Sequence, residues 1–147
     1  MSREDPEFTE FLHAWGDLMN AVAHARARST VADAPKLTLP QALLLETVRA
    51  QRRPTVGTIA AAAGIASPSA TRMLQQLERK GAVRRRRSDE DERITVITLT
   101  DEGAVALDEC WAGLRARQHQ LFDGVDPALR PALIELLRSM RDVVDTM

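Results

Sequence analysis

The sequence predicts a mainly α (α+β) fold: a winged helix-turn-helix with about six helices, a two-stranded wing and long flanking helices. Three observations carry that prediction. A short alanine-rich segment after Thr55 ends at Gly64, and Ser67-Pro68 then starts an amphipathic segment that stops at Gly81. Two runs of strand length follow at once, 83–88 and 94–99, joined by the polar turn SDEDER. Ala, Leu and Val dominate a 44% hydrophobic fraction with only 3% aromatics and no Tyr, a composition that favours helices.

Each element has its own local reason. Phe8, Phe11, Leu12, Trp15, Leu18, Met19 and Val22 recur at three- and four-residue steps, one apolar stripe on a helix from about 6 to 30. Pro35 and its neighbours break it. Pro40 falls in the first turn of a second helix, where its missing N–H costs nothing. Leu43, Leu44, Leu45 and Val48 are expected to be its core, and it fades before Pro54 because a residue preceding proline avoids the helical region. A third helix covers about 57–63. The fourth is expected to have Ser67 as N-cap, Pro68 as first helical residue and Gly81 as left-handed stop. Thr100 or Asp101 caps a fifth helix to about Phe122. Asp126-Pro127 opens a sixth, striped with Leu129, Leu133, Leu136, Leu137, Met140 and Val144. The expected division is 1–36 as an N-terminal dimerisation helix, 37–100 as the winged helix-turn-helix, and 101–147 as C-terminal dimerisation helices.

A chain of 147 residues can bury a real core. No apolar run approaches the roughly 20 residues needed to span a bilayer. The polar, acidic start MSREDPEF is unlike a signal peptide, and one cysteine forms no internal disulfide, so a cytoplasmic protein is expected. The net charge of −1 hides an asymmetry. Residues 49–93 hold eleven basic and five acidic side chains, the remainder nine and sixteen. A polyanion would therefore meet one face only. Enzyme chemistry lacks its inventory here: there is no glycine-rich phosphate loop, no Cys–His or Ser–His neighbourhood and no metal-ligand cluster. No cofactor is expected.

The second helix of a helix-turn-helix fits the DNA major groove. Ala60 and Gly64 supply small residues where the two helices approach, and Ala70, Met73, Leu74 and Leu77 make the buried side of the fourth helix. Its other side carries Ser69, Arg72, Gln75, Gln76 and Arg79. Arginine suits guanine O6 and N7, and glutamine suits adenine N6 and N7. Ser67, Ser69 and Thr71 lie near the helix N-terminus, where hydroxyls and free backbone N–H groups can hold phosphates. In the wing, Arg84, Arg85, Arg86 and Arg87 alternate in direction, so about half of them address one phosphate backbone. Asp91 is expected to orient the Arg93 guanidinium for a narrow minor groove. A solvated tip whose acids merely neutralise arginines is the plainer alternative.

The segments LTLPQALLLETV, TIAAAAGIASPSATRMLQQLERKGAVRRR and SDEDERITVITLTDEG resemble the MarR-type (multiple antibiotic resistance regulator) winged-helix transcription factors. The resemblance is close over about residues 38–103. Its most specific parts are SATRMLQQLERKG, the D-x-R of Asp91 and Arg93, and the LTxxG of Leu99 to Gly103. The family often has arginine where this chain has Glu92. The resemblance implies a homodimer on a pseudo-palindromic operator of double-stranded DNA, usually repressing, and often released by a small lipophilic or phenolic effector. An activator of the same family, or a winged-helix protein-interaction module without DNA specificity, stands as the alternative.

A ligand pocket is expected where the dimerisation helices meet the winged domain, with Phe11, Trp15, Met19 and Trp111 as lining candidates, although such spacings also describe plain core. Cys110 reads as an inert core residue. His13, His24 and His119 are dispersed, with no two at ligand spacing on a helix.

Overall fold

The computed structural model describes residues 5–28 and 36–147. It contains α1 (Pro6–Arg28), α2 (Leu39–Ala50), α3 (Val56–Ala63), α4 (Ser67–Arg79), β1 (Val83–Arg87), β2 (Thr95–Leu99), α5 (Asp101–Asp123), a 3-10 turn (Pro127–Leu129) and α6 (Arg130–Thr146). The expected extension of the first helix to residue 30 and its break around Pro35 lie outside the described residues. The chain forms two compact units, 1–35 and 36–147. In the first, α1 keeps its apolar stripe exposed from Phe8 to Val22.

The core of the second unit lies where α2, α3 and α4 meet the wing and the start of α5. Leu37, Ala42, Leu44, Leu45, Val48, Ile59, Leu74, Leu77, Val83, Ile97 and Leu107 form one buried cluster. Each fully buried aliphatic side chain contributes roughly 1.5–3 kcal/mol relative to exposure. The α2 expectation needs one correction. Leu43 is 52% exposed, while Gln41 and Ala42 are buried. Positions 41, 44, 45 and 48 share one side of the helix, whereas Leu43 stacks with Leu39 on the opposite side.

Side chains cap α2, α3 and α5, the last by Thr100, one of the two residues expected there. Thr38 and Thr55 each form a reciprocal capping box with the residue three places on, Gln41 and Thr58. Thr100 Oγ1 accepts the Gly103 N–H at 2.9 Å. At α4 the expectation fails. The first backbone bond runs from the Ala70 N–H to the Ala66 carbonyl, so Ala66 is the cap and Ser67 already lies inside the helix. Ala66 has no side-chain acceptor, so the first N–H groups of α4 have no side-chain cap.

Gly64 ends α3 at φ +66°, and nothing lies within 4 Å of where its Cβ would be. Its role is conformational, not the close helix approach its small size suggested. Close approach falls on Gly103 instead, where an added Cβ would sit 2.1 Å from the Ala82 carbonyl oxygen. That contact seats α5 on the root of the wing. Thr100 reinforces it: its N–H donates to the Ala82 carbonyl at 3.0 Å and its hydroxyl to the Gly81 carbonyl at 2.6 Å. The LTxxG pattern is thus a structural joint.

Beyond Leu107, α5 has no buried residue, and α6 has none at all. Asp126 caps the 3-10 turn through the Ala128 N–H, and α6 starts only at Arg130, later than expected. Most of its apolar stripe is open: Leu136, Leu137, Met140 and Val144 are exposed, as is Leu129 just before it, while Leu133 is half-buried.

Candidate nucleic-acid interface

The α4 helix presents its chemistry outward because its inner side is fixed. Ala70, Leu74 and Leu77 are fully buried, four and three residues apart. The opposite side therefore carries Ser69, Arg72, Gln75, Gln76 and Arg79 into solvent, with Thr71 half-buried at the margin. Ser67 and Ser69 are exposed at the N-terminus. Arg79 Nε reaches back to the Gln75 carbonyl at 3.4 Å. Gln76 Oε1 accepts from the Gln41 side chain at 3.4 Å, and Lys80 Nζ donates to Gln41 Oε1 at 2.9 Å and to the Lys36 carbonyl at 2.9 Å.

In the wing, Val83 pairs with Leu99, Arg85 with Ile97 and Arg87 with Thr95 in an antiparallel register. Val83 and Ile97 are buried, so strand parity turns the stem of Arg85 toward the core. Its Nε lies 3.0 Å from Glu78 Oε2 near the end of α4, an ion pair without a well-aligned hydrogen bond. Arg85 thus ties the wing to α4. Arg84 and Arg86 take the other face and are exposed, and Arg87 is exposed near the turn.

The tip acids are occupied. Asp89 Oδ2 stands 3.7 Å from Arg86, and Glu90 pairs with Arg53 from the loop between α2 and α3. The hydrogen bond from Arg53 holds the Glu90 carboxyl below the usual range and raises Arg53 in turn. Asp91 does something other than steer a guanidinium. Its carboxylate accepts the backbone N–H of Arg93 at 3.0 Å, and its carbonyl accepts the Ile94 N–H at 2.9 Å. It shapes the turn, as aspartates do when they bond the main chain two residues on. The Arg93 side chain is exposed.

Among the described residues, the guanidinium groups of Arg72, Arg84, Arg87 and Arg93 have no ion pair or hydrogen bond. The structure thus brings the predicted arginines and the outer side of α4 together within one unit and leaves these four predicted guanidiniums free. Sequence reasoning missed Arg53, Lys80 and Gln41. The first two count in the basic excess of residues 49–93, but no local pattern distinguished them. Gln41 was hidden as the Gln of a capping box.

Of the ligand candidates, Phe11, Trp15 and Met19 lie on α1, where they are exposed and Phe11 stacks on Trp15 at 6.0 Å. Trp111 on α5 is half-buried, and its Nε1 donates to Glu46 Oε1 at 2.7 Å. Glu46 also pairs with Arg49, which reaches Asp108 at 2.8 Å, so this network clasps α2 to α5. Cys110 is half-buried against the core, with its Sγ 4.0 Å from the Leu37 carbonyl. Among the described residues no three His, Cys, Asp or Glu side chains gather as a metal site, and no helix is long and apolar enough to cross a membrane.

The sequence model of the MarR family matches residues 37–95, from the lead into α2 through the turn of the wing. The HTH-type transcriptional regulator TtmR of Methylorubrum extorquens is 31% identical over 146 residues, covering 95% of this chain and 71% of TtmR. The chain belongs to the MarR family. Among solved structures, the YusO protein of Bacillus subtilis superposes with a TM-score of 0.76 at 18% identity, covering 96% of this chain and 99% of YusO. FabT of Streptococcus pneumoniae, crystallised in complex with DNA, gives 0.67 at 17%, covering 96% and 97%. These likenesses establish the winged-helix fold. The chain spans about half the length of most of the curated relatives it matches. MarR proteins are regulators of transcription, not enzymes.

Proposed function

We propose that the protein is a sequence-specific DNA-binding regulator of transcription, acting as a homodimeric repressor on a pseudo-palindromic operator. The observation that carries this reading is the outer side of α4, with Arg72 unpaired, beside a wing whose Arg84, Arg87 and Arg93 are also unpaired. Four uncompensated guanidiniums around one helix suit a polyanion with readable base edges. Ser69, Arg72 and Gln76 read the major groove, with Thr71 and Gln75 at its margins. Ser67 and the uncapped N–H groups of α4 hold a phosphate. Arg84, Arg86 and Arg87 hold phosphates along the wing, and Arg93 enters the minor groove from a turn that Asp91 sets. Arg85, spent on Glu78, supports the wing from behind. FabT bound to DNA supports the same placement of fold on duplex.

The dimer is supported by the open apolar stripes of α1 and α6, more surface than a monomer ordinarily leaves to water. Release by a small lipophilic or phenolic effector belongs to the same reading, and screening such molecules for loss of DNA binding tests it.

Selection of bound sequences from random duplex DNA, followed by anisotropy titration, tests the core of the proposal. Binding is expected to weaken steeply with salt as counterions are released. Arg72→Ala is expected to cost about 1–3 kcal/mol on the selected site and to relax base preference at one position. Equal weakening on every sequence would remove Arg72 from base reading. Indifference of the protein to duplex DNA in dilute buffer would end the proposal. Light scattering is expected to report twice 16.3 kDa.

A further inference from the structure

Gln41 is a buried polar side chain, 6% exposed, at the edge of an apolar core. Its amide has no freedom of orientation. One end receives the Thr38 backbone N–H at 3.1 Å and the Lys80 ammonium at 2.9 Å. Both of these groups can only donate, so that end must be the carbonyl oxygen. The other end is then the NH2, and it points at Gln76, 3.4 Å away. A donor there requires the carbonyl oxygen of Gln76 as acceptor. The choice propagates outward: with its oxygen turned inward, Gln76 keeps only its NH2 for solvent.

We infer that Gln41, without touching DNA, fixes which chemical end Gln76 offers to the major groove, so that Gln76 reads guanine. This inference rests on the DNA-reading role of α4 proposed above, and it replaces the adenine preference that a free glutamine would have. Adenine presents one acceptor and one donor in the major groove, and a bidentate glutamine needs both its oxygen and its nitrogen to match them. A glutamine reduced to donors meets the adenine N6 amine with like polarity. Guanine presents two acceptors, O6 and N7, which an NH2 group satisfies. Gln41 is a positioning residue, and Lys80 and Thr38 hold it from behind.

The test uses the full-length protein and random duplex DNA selection. In the first arm, wild type is compared with Gln76→Ala, an exposed substitution that removes no buried apolar side chain. The position whose preference disappears is expected to be a G·C pair, with about five- to hundredfold discrimination lost, the range of one bidentate contact. An A·T pair at that position would overturn the inference. In the second arm, Gln41→Glu keeps an oxygen for Thr38 and Lys80 but turns the remaining end into an acceptor. Gln76 must then flip its amide and offer its oxygen to the groove. Guanine is expected to disappear from the contacted strand at that one position, with the rest of the site unchanged. Retention of the wild-type preference by a folded Gln41→Glu protein would overturn the inference while leaving the DNA-binding proposal standing. Should Gln41→Glu not fold, the first arm decides alone. Failure of wild type to select any sequence would instead defeat the DNA-binding proposal itself.

Discussion

Helices α4 and α6 are both amphipathic, yet the chain treats them in opposite ways. Ala70, Leu74 and Leu77 of α4 are fully buried within the unit, which leaves its polar side as a defined surface. On α6, Leu136, Leu137, Met140 and Val144 keep a comparable spacing, yet they stay exposed within the unit. Apolar periodicity therefore states that a face must be buried, not by what. Where the chain supplies the cover, the helix becomes a platform for side chains on the other side. Where it does not, the face itself is what the helix has to offer.

The contrast is broken most strongly in the core. Leu74→Ala removes a fully buried side chain and is expected to lower unfolding free energy by about 2–5 kcal/mol in denaturant titration, at any protein concentration. Gly103→Ala comes next. The new methyl group collides with backbone at the wing root, so a loss of about 1–3 kcal/mol is expected, together with weaker DNA binding as α5 lifts off Ala82. Leu137→Ala sharpens the comparison from the other helix. Its effect on the melting midpoint is expected to depend on protein concentration, because the proposed dimer covers that face with a second molecule. A midpoint shift independent of concentration would put that face inside the monomer.

The smallest effect belongs to Arg53 and Glu90. The folded carboxyl titrates below its ordinary value of 4.5, so the pair stabilises fully above that value and is lost as pH falls through the depressed one. Protection of the wing-tip amides, referred to their intrinsic exchange rates at each pH, is expected to fall as pH drops below 4.5 through the depressed value. Glu90→Gln is expected to remove that dependence. Both partners are exposed, so the change stays confined to the tip.

Much of this architecture is legible in the sequence because it is written in short-range rules. Gly64 and Gly81 stop their helices with positive φ, and Thr100 caps α5. The alternation of Ala70, Leu74 and Leu77 with Ser69, Arg72 and Gln75 assigns the two sides of α4 correctly. What escaped was settled at one-residue resolution or over long separations. Ser67 and Ala66 compete for the cap one place apart, and only the backbone bond decides. Leu43 and Gln41 differ by about half a turn, so an apolar run hid which side faced the core. Arg85 is spelled like its neighbours, yet strand parity sends it to Glu78. Arg53 meets Glu90 across 37 positions that no local pattern connects.

The joint at Ala82, Thr100 and Gly103 leaves no slack between the root of the wing and the first turn of α5. Backbone lies on backbone there, and hydrogen bonds close it on both sides. Helix and ribbon therefore turn as a single rigid crank. Any tilt of the long α5 shaft is delivered at the far end as a displacement of the arginine-bearing finger, with no hinge in between to absorb it.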